Sequence, residues 1–154
     1  IRTYCVKTAL GISETETRAL LKEFYATEVM DNQPAEDCAA DVLPRLYRAG
    51  YRFVAITACG TDEAFRKRRW RALEQAFGFP WEDVITVNWV EPKKPHLAKF
   101  EPTVWVEDNA THAQDGADVG HDTYLIDRAY NRVDGSFTRV TNWFEICEFI
   151  GGEK

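Results

Sequence analysis

Residues 53–60 read FVAITACG, and a helix-length segment then leads to a second apolar run at residues 84–87. Phe53 to Thr57 is short and rich in β-branched side chains, the pattern of a buried strand, and Ala58, Cys59 and Gly60 make a turn. From Asp62 to Phe77, the residues Phe65, Leu73, Ala76 and Phe77 fall on one helical face, and Gly78 stops the helix. Val84 to Val87 is then a second strand. A strand, a crossover helix and a strand specify parallel pairing, since parallel neighbours need a connection of this length.

The same alternation continues downstream. Thr103 to Val106 (TVWV) is a third strand, ending abruptly in Glu107, Asp108 and Asn109. A short helix around Thr111 to Ala117, a fourth strand at Thr123 to Ile126 (TYLI) and a closing helix over Trp143 to Ile150 complete the series. The expected fold class is therefore α/β, a three-layer, Rossmann-like parallel sheet with crossover helices. Upstream the chain reads as helical. Ser13 and Glu16 form a capping box ahead of Leu20, Leu21, Phe24, Tyr25 and Val29, and MDNQP (residues 30–34) ends that helix. A second helix buries Ala39, Val42, Leu43, Leu46 and Tyr47 and stops near Gly50; Pro44 is best tolerated if it begins near Asp41.

Composition sets outer limits. The sequence has 154 residues, the size of one domain spanning 1–154, with 45% hydrophobic and 29% charged residues. The net charge of −6 argues against a protein that coats duplex DNA or an anionic membrane, and no apolar run is long enough to span a bilayer. Cys5, Cys38, Cys59 and Cys147 show no C-x-x-C or zinc-finger spacing. They read as free thiols of a reducing compartment, so a cytoplasmic location is expected.

In a parallel α/β sheet the chemistry lies at the carboxyl ends of the strands. There the sequence places three features. Thr57, followed by small residues, offers a hydroxyl and the Ala58 amide to a phosphate oxygen, although an ordinary strand end looks the same. Lys93, Lys94 and Lys99 in EPKKPHLAKF precede the third strand, where a lysine can neutralise a carboxylate centre or stay solvated. Glu107 and Asp108 put two acids after a buried strand, which suits a hard cation such as Mg²⁺ or a helix cap.

Taken in order, these features resemble the haloacid dehalogenase-like (HAD) superfamily of phosphohydrolases. Thr57 in FVAITACG matches the family's second motif, and Lys94 in KKPHL, with Lys93 and Lys99 as competitors, matches its third. Glu107 and Asp108 in VWVEDN match its fourth. The stretch GHDTYLIDRAYNR and the helix led by Trp143 resemble the tail of nucleotidase-type members. The resemblance implies a small helical cap over about 13–49 and an α/β core over about 50–154. It implies a Mg²⁺-dependent phosphohydrolase acting on a small phosphomonoester, most plausibly a nucleotide in the manner of a 5′-nucleotidase. Thr57 and the amide of Ala58 would hold the phosphoryl group, Lys94 would neutralise charge and Asp108 would ligate Mg²⁺.

One motif of the family is missing. Its D-x-D pair, which supplies the aspartate that becomes an aspartyl-phosphate and the general acid/base, does not occur in these residues. The expectation is that a strand bearing it precedes Ile1, that IRTYCVKTAL is the helix after that motif's loop, and that the chain alone is inert. The alternative is a catalytically inactive HAD-like binding or structural domain. Arg66, Lys67, Arg68, Arg69 and Arg71 would steer a nucleotide phosphate or a nucleic acid end if they faced the site, and otherwise make a solvated face. Trp70, Trp81, Trp89 and Trp105 suit packing better than base stacking, and His96, His112 and His121 share no metal-ligand spacing.

Overall fold

Apolar runs separated by helical segments form the elements that the patterning specifies. A computed structural model describes residues 5–36 and 38–151. In chain order the elements are α1 (Val6–Leu10), α2 (Glu14–Tyr25), α3 (Glu28–Asp31), α4 (Ala39–Arg48), β1 (Val54–Ala58), α5 (Glu63–Phe77) and β2 (Asp83–Val87). They continue with α6 (Lys94–Leu97), β3 (Val104–Glu107), α7 (Ala110–Asp118), β4 (Asp122–Ile126), β5 (Thr138–Val140) and α8 (Trp143–Gly151). The protein is mixed α/β, and every strand pair among the described residues is parallel.

Two compact units divide the chain: Arg18–Glu91 is one, and Pro92 onward together with the segment through Thr17 is the other. The divisions fall between residues 17 and 18 and between residues 91 and 92. In the Arg18–Glu91 unit, β1 and β2 form a two-stranded sheet in which Thr57 lies opposite Thr86. In the other unit β3, β4 and β5 form a three-stranded sheet in that order. Among the described residues the strands thus form two short parallel sheets, one in each unit.

The Arg18–Glu91 unit is built from the amino ends of its strands. Phe53, Phe77, Phe79 and Trp81 make a ring cluster there, and Tyr47 of α4 stacks on Phe79 at 4.6 Å. Aliphatic burial continues through Val42, Leu43, Leu46, Ile56, Val84 and Val87. The rings fix one end of the strands and leave the turn after Thr57 at the other. Gly60 in that turn has φ 88°, a conformation open to glycine, and its amide donates to the Val87 carbonyl at 3.0 Å.

Helix α4 begins at Ala39, two residues before the expected start, so Pro44 lies in its second turn. The proline removes the donor that would meet the carbonyl of Ala40, an exposed residue. Ser13 and Glu16 do form the capping box: the Ser13 amide donates to Glu16 at 2.8 Å and the Glu16 amide to Ser13 Oγ at 3.2 Å. The long expected helix nevertheless breaks into α2 and α3, and Leu20 and Val29 are exposed rather than inward. Residues 1–4 of the expected first helix lie outside the described residues.

The second unit packs Tyr124, Ile126, Val140 and Ile146 into a core, with Val104, Val106, Trp143 and Ile150 against it. Gly116 brings α7 close to β3, since a Cβ there would sit 2.4 Å from Trp105 Cδ1. Strand β5 was not expected from the sequence. It has three residues, two of them exposed, so it carries too little apolar pattern to announce itself.

Candidate functional site

The expected site residues lie on turns at the carboxyl ends of strands, β1 in one unit and β3 in the other. At the end of β3, Glu107 is buried and points back into the protein. Its Oε1 takes the Lys93 ammonium, while Oε2 accepts the Asp108 amide at 3.1 Å and the Asn109 amide at 3.2 Å. Lys93 is itself buried, with Nζ 5.3 Å from the centre of the Trp105 ring and its backbone amide on Asp115 at 3.1 Å. A buried ion pair with its remaining acceptor filled by backbone donors is the arrangement in which such charges are tolerated.

The three lysines left open by the sequence therefore separate. Lys94 Nζ lies 2.7 Å from Asp118 on the surface, and this contact lowers the Asp118 pKa from the usual carboxylate value. Lys99 is exposed. The structure brings Lys93, rather than Lys94, to Glu107. Lys93 is the N-cap of a turn with Pro95 behind it, so two adjacent lysines must point apart and only one reaches the strand.

Asp108 is held differently. Tyr130 donates its hydroxyl to Asp108 Oδ2, and Asn131 Nδ2 donates at 2.7 Å to both the Asp108 and Ile126 carbonyls. The Asn131 Oδ1 accepts the Arg128 amide at 2.9 Å and Arg139 at 3.0 Å. Asp127 pairs with Arg132 and Arg139. The DRAYN loop thus clamps the β3 turn, with buried Asn131 bridging the ends of β3 and β4. Asn109 caps α7 through the Thr111 amide at 2.9 Å.

Both Glu107 oxygens are engaged, one by the Lys93 ammonium and one by two backbone amides, so Asp108 is the freer carboxylate of the pair. Among the described residues no group of three or more His, Cys, Asp or Glu side chains converges. Mg²⁺ is commonly held by one or two carboxylates with waters and substrate phosphate, and Asp108 fits that type of site. His121 accepts the Thr103 amide at Nδ1 and faces the Leu97 carbonyl with Nε2, each at 3.1 Å. His112 lies beside Asp115 at 3.3 Å.

At the end of β1, Thr57 is half-buried, and the Cys59 thiol donates to the Gly60 carbonyl at 3.9 Å. The Ala58 carbonyl accepts the Tyr25 hydroxyl at 3.3 Å. Burial raises the pKa of the Cys59 thiol and of the Tyr25 phenol, so both are neutral near pH 7. Tyr25 stacks on Trp89 with centroids 6.0 Å apart. Its part in this turn has no local signature, because the contact spans 33 residues.

No family model and no curated protein matches the chain.

The basic run on α5 divides among tasks. Arg66 bonds the Val84 carbonyl and Asp83, both at 2.8 Å, fastening α5 to β2. Arg68 binds Asp31 and the carbonyls of Tyr25 and Thr27, satisfying the end of α2. Lys67 and Arg71 are exposed. Arg69 Nε is closed to solvent and meets no hydrogen-bond acceptor among the described residues.

Proposed function

We propose that this chain is the HAD-like part of a Mg²⁺-dependent phosphohydrolase that removes phosphate from a phosphomonoester, most plausibly a nucleotide. The observation that carries this reading is the division of labour after β3. Lys93 neutralises Glu107 inside the protein, while Tyr130 and Asn131 hold Asp108 at the turn. An acid pair in which one member is consumed and the other is braced suits a cation site better than a simple strand end.

In this reading Asp108 would hold Mg²⁺, which would supply charge neutralisation for a phosphoryl group. Thr57 and the Ala58 amide would hold phosphate oxygens. Lys93 takes the role that the resemblance gives to the motif lysine, since Lys94 is committed to Asp118. Phosphoryl transfer depends on positioning and electrostatics, the part these groups would play, and the D-x-D nucleophile that the resemblance implies does not occur in these residues. The three-layer fold belongs to the same proposal.

Phosphate release from nucleoside monophosphates by the protein as its gene encodes it tests the reading. Magnesium-dependent release supports it, and no release under any divalent cation overturns it.

A further inference from the structure

Parallel pairing with β4 sets Arg139 of β5 opposite Leu125, just before the turn that opens at Asp127. Its neighbour Val140 is buried in the core, so the alternation of a strand turns Arg139 to the other face, where its side chain is 32% exposed. A guanidinium offers its donors in a rigid planar fork. Here Nη1 donates at 3.0 Å to both Asp127 Oδ1 and Asn131 Oδ1. Nη2 donates to the Asn131 carbonyl at 3.1 Å and to the Val133 carbonyl at 2.8 Å. One side chain on an edge strand thus gathers the loop over 127–133.

Asn131 carries this order to Asp108. It is 3% exposed, and its Nδ2 donates at 2.7 Å to the Asp108 carbonyl. Its Oδ1 accepts both Arg139 and the Arg128 amide, so any rotation of the side chain breaks bonds at both ends. Tyr130, next in the chain, donates to Asp108 Oδ2. We infer that Arg139 is a positioning residue: through Asn131 and Tyr130 it sets the direction in which Asp108 presents its carboxylate. That the carboxylate meets Mg²⁺ rests on the proposed reading, whereas the positioning itself does not. Arg132, the other cation on Asp127, is 70% exposed and serves as the comparison.

Nuclear magnetic resonance of the isotope-labelled full chain, free of divalent cations, should show slow exchange of the Asn131 side-chain amide protons. Arg139→Met should speed that exchange and move the Asp108 and Asn109 amide signals in a protein that still melts cooperatively. With magnesium chloride as the probe, the same substitution should raise the half-saturating concentration about tenfold, as for loss of a group that orients a metal ligand. Arg139→Lys keeps a charge beside Asp127 but lacks the fork, so it should behave like Arg139→Met and serves if that variant fails to fold. Arg132→Met should change none of these readings. Unmoved Asp108 and Asn131 signals in the Arg139 variants, or an unchanged half-saturating concentration, overturns the inference. A wild-type chain whose Asp108 signals ignore magnesium overturns the cation reading instead, and the metal-free signals then decide the positioning.

Discussion

The ammonium of Lys93 lies against the carboxylate of Glu107, and the two side chains are only 10% and 6% exposed. Breaking a buried pair by removing one partner strands the other charge. Lys93→Met should therefore cost about 3–5 kcal/mol in urea unfolding. Lys94→Met, which loses a surface contact to Asp118, should stay within about 0.5 kcal/mol. Equal costs would show that the two lysines do not differ in the way the geometry requires.

Gly116 has no room for a side chain. Substitution by alanine would gain helix propensity in α7 but press a methyl into Trp105 and against Thr123 Oγ1 at 3.0 Å. The ring is locked by its own N–H on the His112 carbonyl at 3.2 Å, so it cannot swing away freely. Gly116→Ala should lower stability by about 1–3 kcal/mol by denaturant titration, and an unchanged or raised midpoint would contradict the packing argument.

The alternation of strands and helices was legible because FVAIT, VITV, TVWV and TYLI each carry enough apolar pattern to stand out. Strand β5 does not, since only Val140 of its three residues is buried. The identity of the buried lysine was illegible for a different reason. Lys93 and Lys94 are chemically alike, and what separates them is a contact 14 residues away with Glu107 and the Asp115 carboxylate on the Lys93 amide. Tyr25 likewise owes its setting at the β1 turn to long-range packing. By contrast, the capping box was readable because all its partners lie within four residues.

Tyr130→Phe retains the ring and removes the hydroxyl from Asp108 Oδ2. The loss in stability should be about 1 kcal/mol. If Asp108 holds the cation, the concentration of Mg²⁺ needed for half-maximal phosphate release should change while the fold persists. An unaltered magnesium dependence would separate Tyr130 from the site.

Acid should act through the helix caps. Ser13 holds the Glu16 pKa below its ordinary value by hydrogen bonds to the carboxylate, and Thr141 does the same for Glu145. For a lowered carboxylate, the stabilising contribution is complete above the unfolded value, about pH 4.3, and is lost as pH falls through the folded one. Glu16→Gln, which can still cap, should make stability fall less steeply with acid below about pH 4.3. A steeper or unchanged acid limb would contradict the assignment.

The central claim is that Asp108 is the acid of the β3 pair left for chemistry. The direct measurement is magnesium-dependent phosphate release from nucleoside monophosphates by the protein as its gene encodes it, with and without Asp108→Asn, alongside a melting curve. The account predicts a folded variant with no magnesium-dependent release. A folded Asp108→Asn protein that releases phosphate at the wild-type rate would contradict it.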